Sequence, residues 1–420
     1  EEGIFMNARG IAYTMLRDIC LHKTYSNLLL RKGLNQAKPQ DKGLITQIVY
    51  GTLQNYRLCR YQWEDCVKKL PSDEVCVLLD MSVYQLFYMD KLPAYAIIND
   101  AVEITKKQIH GNMAKLVNAV LHAVQRRGKR EITGKEEEAL AIRTSHPTWL
   151  VQMWKAQYGW DNAQKICEAD METKPNAARV NTWKITRDEL MKQDSSFQKG
   201  YLSEDALLYD ASLAATPWYA QGLLSIQDEA SQLIARIVDP QKGEQILDVC
   251  SAPGTKANHM AELMQNDGSI VCGDIHEHRV ELIREGAARL GITILKPQVM
   301  DATELKEVEG ILFDRVLCDV PCSGYGVLAR KSDIKVHMQS GDMDTLIPIQ
   351  KAILAKSAEH VKEHGILVYS TCTLNKKENE KQVQAFLKEH ENFTLIEERT
   401  IFPYTAHTDG FYMAKLQRIS

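Results

Sequence analysis

The sequence predicts a multidomain chain: an all-α front, a small mixed segment, and an α/β core built on a parallel sheet. Three observations predict it. Apolar residues recur at spacings of three and four through the first 130 residues. From about residue 244 the pattern changes to strand, loop, helix, repeated. Successive strand-like pieces of that second half end in Asp248, Asp274 and Asp301, as strands do whose carboxyl ends face a ligand.

Residues 5 to about 128 read as helix throughout. Ile11, Met15, Leu16 and Ile19 form one apolar stripe; Leu44, Ile45, Ile48 and Val49 a second; Val83, Leu86 and Phe87 a third. Leu116–Leu121 lies in a further helix that runs into Arg126-Arg127-Gly128-Lys129-Arg130. Cations suit a helix C-terminus, and the same cluster suits phosphate contacts. Residues 131–145, with Gly134 and a Lys-Glu-Glu-Glu run, read as a linker or a solvated helix. The mixed segment, 146–235, has helical stretches at 149–158 and 161–170 and a β-like piece at Ala178–Asn181.

The core, 236–420, alternates regularly. Strands are expected at 245–250, 269–274, 297–301, 315–319 and 366–371. Helices are expected at 255–264, 276–290, 342–361 and 375–390. Asn375 and Glu378 have capping-box spacing for the last helix. Gly410–Arg418 is expected to add a late antiparallel strand. Such alternation argues a parallel sheet covered by helices.

Composition narrows the function. The 420 residues are 45% hydrophobic and 25% charged, an ordinary globular balance. No apolar run reaches the roughly 18 residues of a membrane span, and the first residues are mixed and charged, so neither a span nor a signal peptide is expected. Ten cysteines occur without Cys-x-x-Cys pairs or zinc spacing; reduced thiols, a cytoplasmic location and no metal are expected. Cys20, Cys59, Cys66, Cys76, Cys167, Cys272 and Cys318 sit in apolar patterns and read as core. Net charge is −4, but residues 1–130 carry 19 Lys+Arg against 12 Asp+Glu. The basic front points to a polyanion.

Four motifs carry the chemistry. Asp248-Val249-Cys250-Ser251-Ala252-Pro253-Gly254-Thr255-Lys256 is a strand end, a turn of small residues and a helix start, where backbone comes close to a ligand. Asp274 follows 26 positions later, near the ~20-residue offset of an acid that takes ribose hydroxyls. Asp319-Val320-Pro321-Cys322-Ser323-Gly324 and Ser370-Thr371-Cys372-Thr373 each place a cysteine just past a hydrophobic strand, in polar surroundings. Gly324-x-Gly326-x-x-Ala329 imitates a dinucleotide fingerprint, but Pro321 interrupts the turn and Arg330-Lys331-Ser332-Asp333 follows, not an apolar helix.

With these motifs the chain resembles the bacterial 16S ribosomal RNA cytosine-C5 methyltransferases, the Sun/Fmu group of the RNA cytosine-C5 methyltransferases. The likeness runs over nearly the whole chain. Residues 1–130 resemble the helical RNA-binding fold of the antitermination factor NusB, and the core resembles a Rossmann-like class I methyltransferase. Ser225–Ser231 matches the segment that precedes that core in the family. The resemblance implies S-adenosylmethionine as methyl donor, S-adenosylhomocysteine as product, and 16S rRNA, naked or partly assembled, as partner of a monomer. It implies that Cys250, Ser251, Ala252, Pro253, Gly254, Thr255 and Lys256 hold the methionine part of the cofactor. Asp274 takes its ribose, Asp301 lies by the adenine, and Arg279 joins the cofactor residues. Asp319 contacts the target base and also counts among the cofactor residues, Cys372 is the nucleophile, and Cys322 assists adduct breakdown.

One departure is visible: the family turn usually has a second glycine where Thr255 stands, so Thr255 must avoid a glycine-only conformation. In the DNA cytosine methyltransferases the Pro-Cys cysteine is itself the nucleophile and no Thr-Cys partner is expected. Cys372 therefore argues against that rival, and the paired cysteines and three acids argue against a catalytically dead RNA-binding fold.

Overall fold

The computed structural model describes residues 7–22, 33–90 and 92–420; the expected helical stretch at 5–6, 23–32 and 91 lies outside them. The described residues form two compact units, 1–171 with 328–340, and 172–327 with 341–420.

In the first unit the apolar stripes close into one helical core. Leu16 and Ile19 of helix Ala8–His22, Ile48 of Lys42–Gln54, Leu79 of Asp73–Tyr88 and Val117 of Ala114–Arg127 are all fully buried in it. Burial of such side chains contributes about 1.5–3 kcal/mol each. Of the linker or solvated helix expected at 131–145, the structure has a helix, Glu136–Arg143, which is packed rather than solvated and buries Leu140, Ala141 and Ile142. Its acidic residues lie in the first turn and Arg143 in the last, where each suits the helix dipole, and together they disguise a short apolar face. Helices Thr148–Tyr158 and Trp160–Ala169 cluster with this unit too.

The basic cluster is partly spent on structure. Arg127 pairs with Asp65 at 2.7 Å and donates to the Gln62 carbonyl. Arg130 lies over the Tyr61 ring at 3.9 Å and donates to the Tyr61 carbonyl. Both clamp the turn Glu64–Cys66. The chain leaves the second unit after Val327, contributes Leu328–Ser340 to the first, and returns at Gly341. The inserted piece is anchored by Lys335, whose buried amine donates to the Gln54 carbonyl at 3.0 Å.

The second unit holds two sheets. The small one comprises β1 (Asn176–Val180), β2 (Gln198–Lys199), β3 (Ala206–Tyr209) and β4 (Leu224–Ile226), antiparallel in the order β2-β3-β1-β4. The large one comprises β5 (Gln245–Asp248), β6 (Ser269–Asp274), β7 (Leu295–Val299), β8 (Phe313–Asp319), β9 (Val361–Thr371), β10 (Phe393–Ile401) and β11 (Phe411–Arg418). Its order is β10-β11-β9-β8-β5-β6-β7. β5 to β9 pair in parallel, while β11 runs antiparallel between β9 and β10. Strand order therefore reverses between β5 and β8, the switch point at which open α/β sheets bind ligands.

At the end of the chain one strand is unexpected and one expectation needs correction. β10, the unexpected one, is an edge strand with three consecutive charged residues, Glu397, Glu398 and Arg399, and a register shift between Leu395 and Glu397, which hides the period of two. Asn375 and Glu378 do not form a capping box. The helix begins only at Glu380, and the Glu378 carboxylate is turned inward to other donors. A capping box does stand at Thr186 and Glu189.

Candidate active site

Parallel pairing sets the site out before any side chain is considered. Asp248, Asp274 and Asp319 are the last residues of β5, β6 and β8, and Cys372 is the first residue past β9. All four lie at the carboxyl edge of one sheet. The register pairs Asp319 with Ser370, and the Ser370 hydroxyl donates to Asp319 Oδ1 at 2.8 Å.

The turn after β5 is shaped by Gly254, whose φ of +95° is a left-handed conformation that L side chains rarely adopt. A Cβ there would also crowd Ile283 at 3.1–3.3 Å. Thr255 is already the first residue of the helix that follows, a conformation open to any side chain, so threonine serves where the family has glycine. One turn edge further, Lys256 reaches across the switch point: its Nζ lies 2.6 Å from Asp319 Oδ2. Its amine thereby pairs with the acid beside the cysteines. The negative charges of Asp319 and Cys372 offset the cost of burying it and hold its pKa above the ordinary lysine value.

Along the other arm, Asp248 is buried, and neither carboxylate oxygen meets a hydrogen-bond partner among the described residues. Burial pushes its pKa up to about 7, with the nearby Ser251 hydroxyl acting in the opposite direction. The Ser251 hydroxyl is likewise buried without a partner. A carboxylate and a hydroxyl left unsatisfied beneath a turn of small residues form a cradle for a cationic polar group. Asp274 Oδ1 accepts from the His276 amide at 3.1 Å, and Arg279 lies 3.2 Å from Asp274 Oδ2. Arg279 also donates to the Ala252 carbonyl at 3.2 Å, linking the two cofactor segments. Asp301 stands two residues past β7 and accepts from the Thr303 amide and hydroxyl, which lower its pKa. Cys250 is held far above the ordinary thiol pKa by burial and neighbouring anions.

The two cysteines meet. Cys322 Sγ and Cys372 Sγ are 3.3 Å apart and both are half-buried. Their loops are pinned together: the Gly326 amide donates to the Cys372 carbonyl at 3.0 Å and the Tyr325 amide to Thr373 Oγ1 at 3.1 Å. A side chain at Gly326 would strike the Gly410 carbonyl at 2.1 Å and the Cys372 carbonyl at 2.8 Å. That close approach accounts for Gly326 of the false fingerprint, and a left-handed φ of +74° for Gly324.

Three stretches of the chain match known families. Residues 235–417 match the 16S rRNA methyltransferase RsmB/F family, residues 6–126 the NusB family, and residues 146–213 the ferredoxin-like domain of RsmF/B-like methyltransferases. A probable ribosomal RNA small subunit methyltransferase B of Bacillus subtilis is 40% identical, aligned over 98% of this chain and 99% of its own. The ribosomal RNA small subunit methyltransferase B of Shewanella oneidensis is 31% identical over 98% and 99%. The chain belongs to this methyltransferase family. Among solved structures, a methyltransferase homolog from Pyrococcus horikoshii is 27% identical, covering 68% of this chain and all of its own, with a TM-score of 0.61. Like its family, the chain joins a helical NusB region, a ferredoxin-like sheet and a methyltransferase sheet, and it uses S-adenosylmethionine. Among the described residues no helix is long and apolar enough to cross a membrane.

Proposed function

We propose that the chain methylates carbon 5 of one cytosine in 16S rRNA, in the cytoplasm, with Cys372 as nucleophile and Cys322 as the residue that resolves the adduct. The observation that carries this reading is the pair of thiols 3.3 Å apart beside the Lys256–Asp319 pair. Bound in the cradle of Asp248, Ser251 and Asp274, S-adenosylmethionine supplies an electrophilic methyl group.

Carbon 5 of cytosine is a poor nucleophile. Addition of the Cys372 thiolate to carbon 6 makes the ring an enamine, and carbon 5 then takes the methyl group; one hard step becomes two easier ones. Asp319, held by Lys256 and Ser370, accepts a hydrogen bond from the cytosine amino group and so fixes the base for attack. The C5 proton then leaves and Cys372 is eliminated, restoring the aromatic ring.

The pair's electrostatics suit that order. Cys322 is held protonated by its hydrogen bond to Cys372, by burial and by the charge of Cys372. Once Cys372 is a thioether, its hydrogen bond and its charge are gone. Cys322 can then release its proton to water and accept the one from carbon 5. Attack perpendicular to the ring requires an unstacked base, so a loop or single-stranded segment of the RNA is the substrate. The basic front contributes phosphate contacts through side chains other than Arg127 and Arg130. Incubation with 16S rRNA and methyl-labelled cofactor, followed by nucleoside digestion, should give 5-methylcytidine. Label in any other nucleoside overturns the reading.

Two results are expected at the cofactor arm. Asp274→Ala should raise the dissociation constant for S-adenosylmethionine about ten- to a hundredfold, since a hydrogen bond to a charged group is worth roughly 1.5–3 kcal/mol. Calorimetry on the folded variant reads this directly. Asp248 gives a pH dependence. Its folded pKa lies above the free value, so it favours the ligand-free fold at low pH, and that contribution is lost as pH rises through about 7. Cofactor binding needs the ionised form. Affinity should therefore fall about fivefold between pH 7 and pH 6, and Asp248→Asn should flatten that change.

A further inference from the structure

Glu378 is a fully buried carboxylate beside the cysteines that the function has not used. No surface of it is exposed. Its Oε1 accepts from the Ser323 amide at 2.9 Å and from Gln350 Nε2 at 3.0 Å. Its Oε2 accepts from the Ser323 hydroxyl at 2.5 Å and from Asn375 Nδ2 at 2.9 Å. Four neutral donors surround it, and two of them belong to the residue next to Cys322. Gln350 also donates to the Pro321 carbonyl at 2.9 Å, on the other side of the same cysteine. The Ser323 hydroxyl lies 2.6 Å from Thr373 Oγ1, next to Cys372. Glu378 thus holds the loop of one cysteine against the turn of the other.

The charges on the two sides of the pair are opposite. On the Cys322 side stands the anionic Glu378, with the phenols of Tyr325 and Tyr369 nearby. On the Cys372 side stands the ammonium of Lys256, partly offset by Asp319. Two thiols in contact share one proton easily, and a fixed anion beside one of them keeps the proton there.

We infer that Glu378 is a positioning residue that locks the Cys322 loop and directs ionisation of the cysteine pair to Cys372. The inference rests on the assignment of Cys372 as nucleophile, and it explains why two neighbouring cysteines do not exchange roles. The charge of Glu378 also raises the thiol pKa of Cys322, beside the larger effects of Cys372 and burial.

Substoichiometric alkylation of the full chain with iodoacetamide between pH 6 and pH 10, read peptide by peptide by mass spectrometry, tests it. In the wild type, Cys372 should be labelled at lower pH than Cys322. In Glu378→Gln the profile of Cys322 should move to lower pH, and its share of the label near pH 7.5 should rise at least about threefold, a change that follows from removing one nearby charge. Glu378→Asp, which keeps the charge, should restore the wild-type order. Ser323→Ala loosens the loop without removing the charge and should leave that order unchanged. A folded Glu378→Gln protein with unaltered partition overturns the inference while leaving the nucleophile assignment intact. Wild-type labelling of Cys322 before Cys372 overturns the assignment beneath it. Should Glu378→Gln fail to fold, coincident wild-type profiles for the two cysteines suffice to reject the inference.

Discussion

Cys372→Ala should be inactive and should form no covalent bond to RNA, while Cys322→Ala should accumulate a covalent RNA complex. The reason is the order of steps. Without Cys372 no thiolate reaches carbon 6, and the methyl group meets an unactivated ring. Without Cys322 the addition and methyl transfer still run, but the adduct resolves slowly and the protein stays joined to its RNA through Cys372. On a denaturing gel the complex should run as a slower, nuclease-sensitive band that requires S-adenosylmethionine. The double variant should lack it. Loss of a nucleophile commonly costs several powers of ten in rate, so residual turnover by Cys372→Ala near the wild-type rate would exclude it from the chemistry. A band from Cys372→Ala, with none from Cys322→Ala, would exchange the two roles.

The second large effect is structural. Arg179 and Glu262 are both buried, and the guanidinium meets the carboxylate twice, at 2.8 and 3.0 Å. Arg179 also donates to the Thr255 carbonyl at 2.8 Å and to Gln227 Oε1 at 2.5 Å. β1 of the small sheet is thereby tied to the first turn of the cofactor-site helix. Arg179→Met leaves Glu262 buried without its cation, and breaking such a pair costs about 3–5 kcal/mol. Urea unfolding should show an earlier transition, and cofactor affinity should fall with it because the Thr255 carbonyl loses its donor. Replacing both partners with apolar residues should recover much of the stability. Equal destabilisation by the single and double variants would show that the pair is not the source.

Strong periodicity made the helical front readable, and hydrophobic runs closed by Asp248 and Asp274 made the sheet edge readable, whereas Asp301, read as the end of a third strand, stands two residues past it. Both depend on local pattern. What stayed hidden depends on partners far along the chain. Arg179 reads as one charge in a short strand; only the fold sets it against Glu262, 83 residues later. Glu378 reads as a helix cap because its spacing from Asn375 suits one. In the fold the Asn375 side chain donates to it at a place where the helix has not begun. Arg127 and Arg130 read as phosphate contacts, but Asp65 and Tyr61 take them first. Lys256 sits in a motif whose small residues point to the cofactor, and its length carries the amine past them to Asp319. A long side chain ends several ångströms from the turn that bears it, which is why a motif locates it poorly.

Bisulfite sequencing of 16S rRNA incubated with the purified protein tests the central claim most directly. One cytosine should resist conversion, only with S-adenosylmethionine present, and the protection should vanish in Cys372→Ala. Uniform conversion by the folded, cofactor-binding protein, or protection that survives Cys372→Ala, would contradict the account.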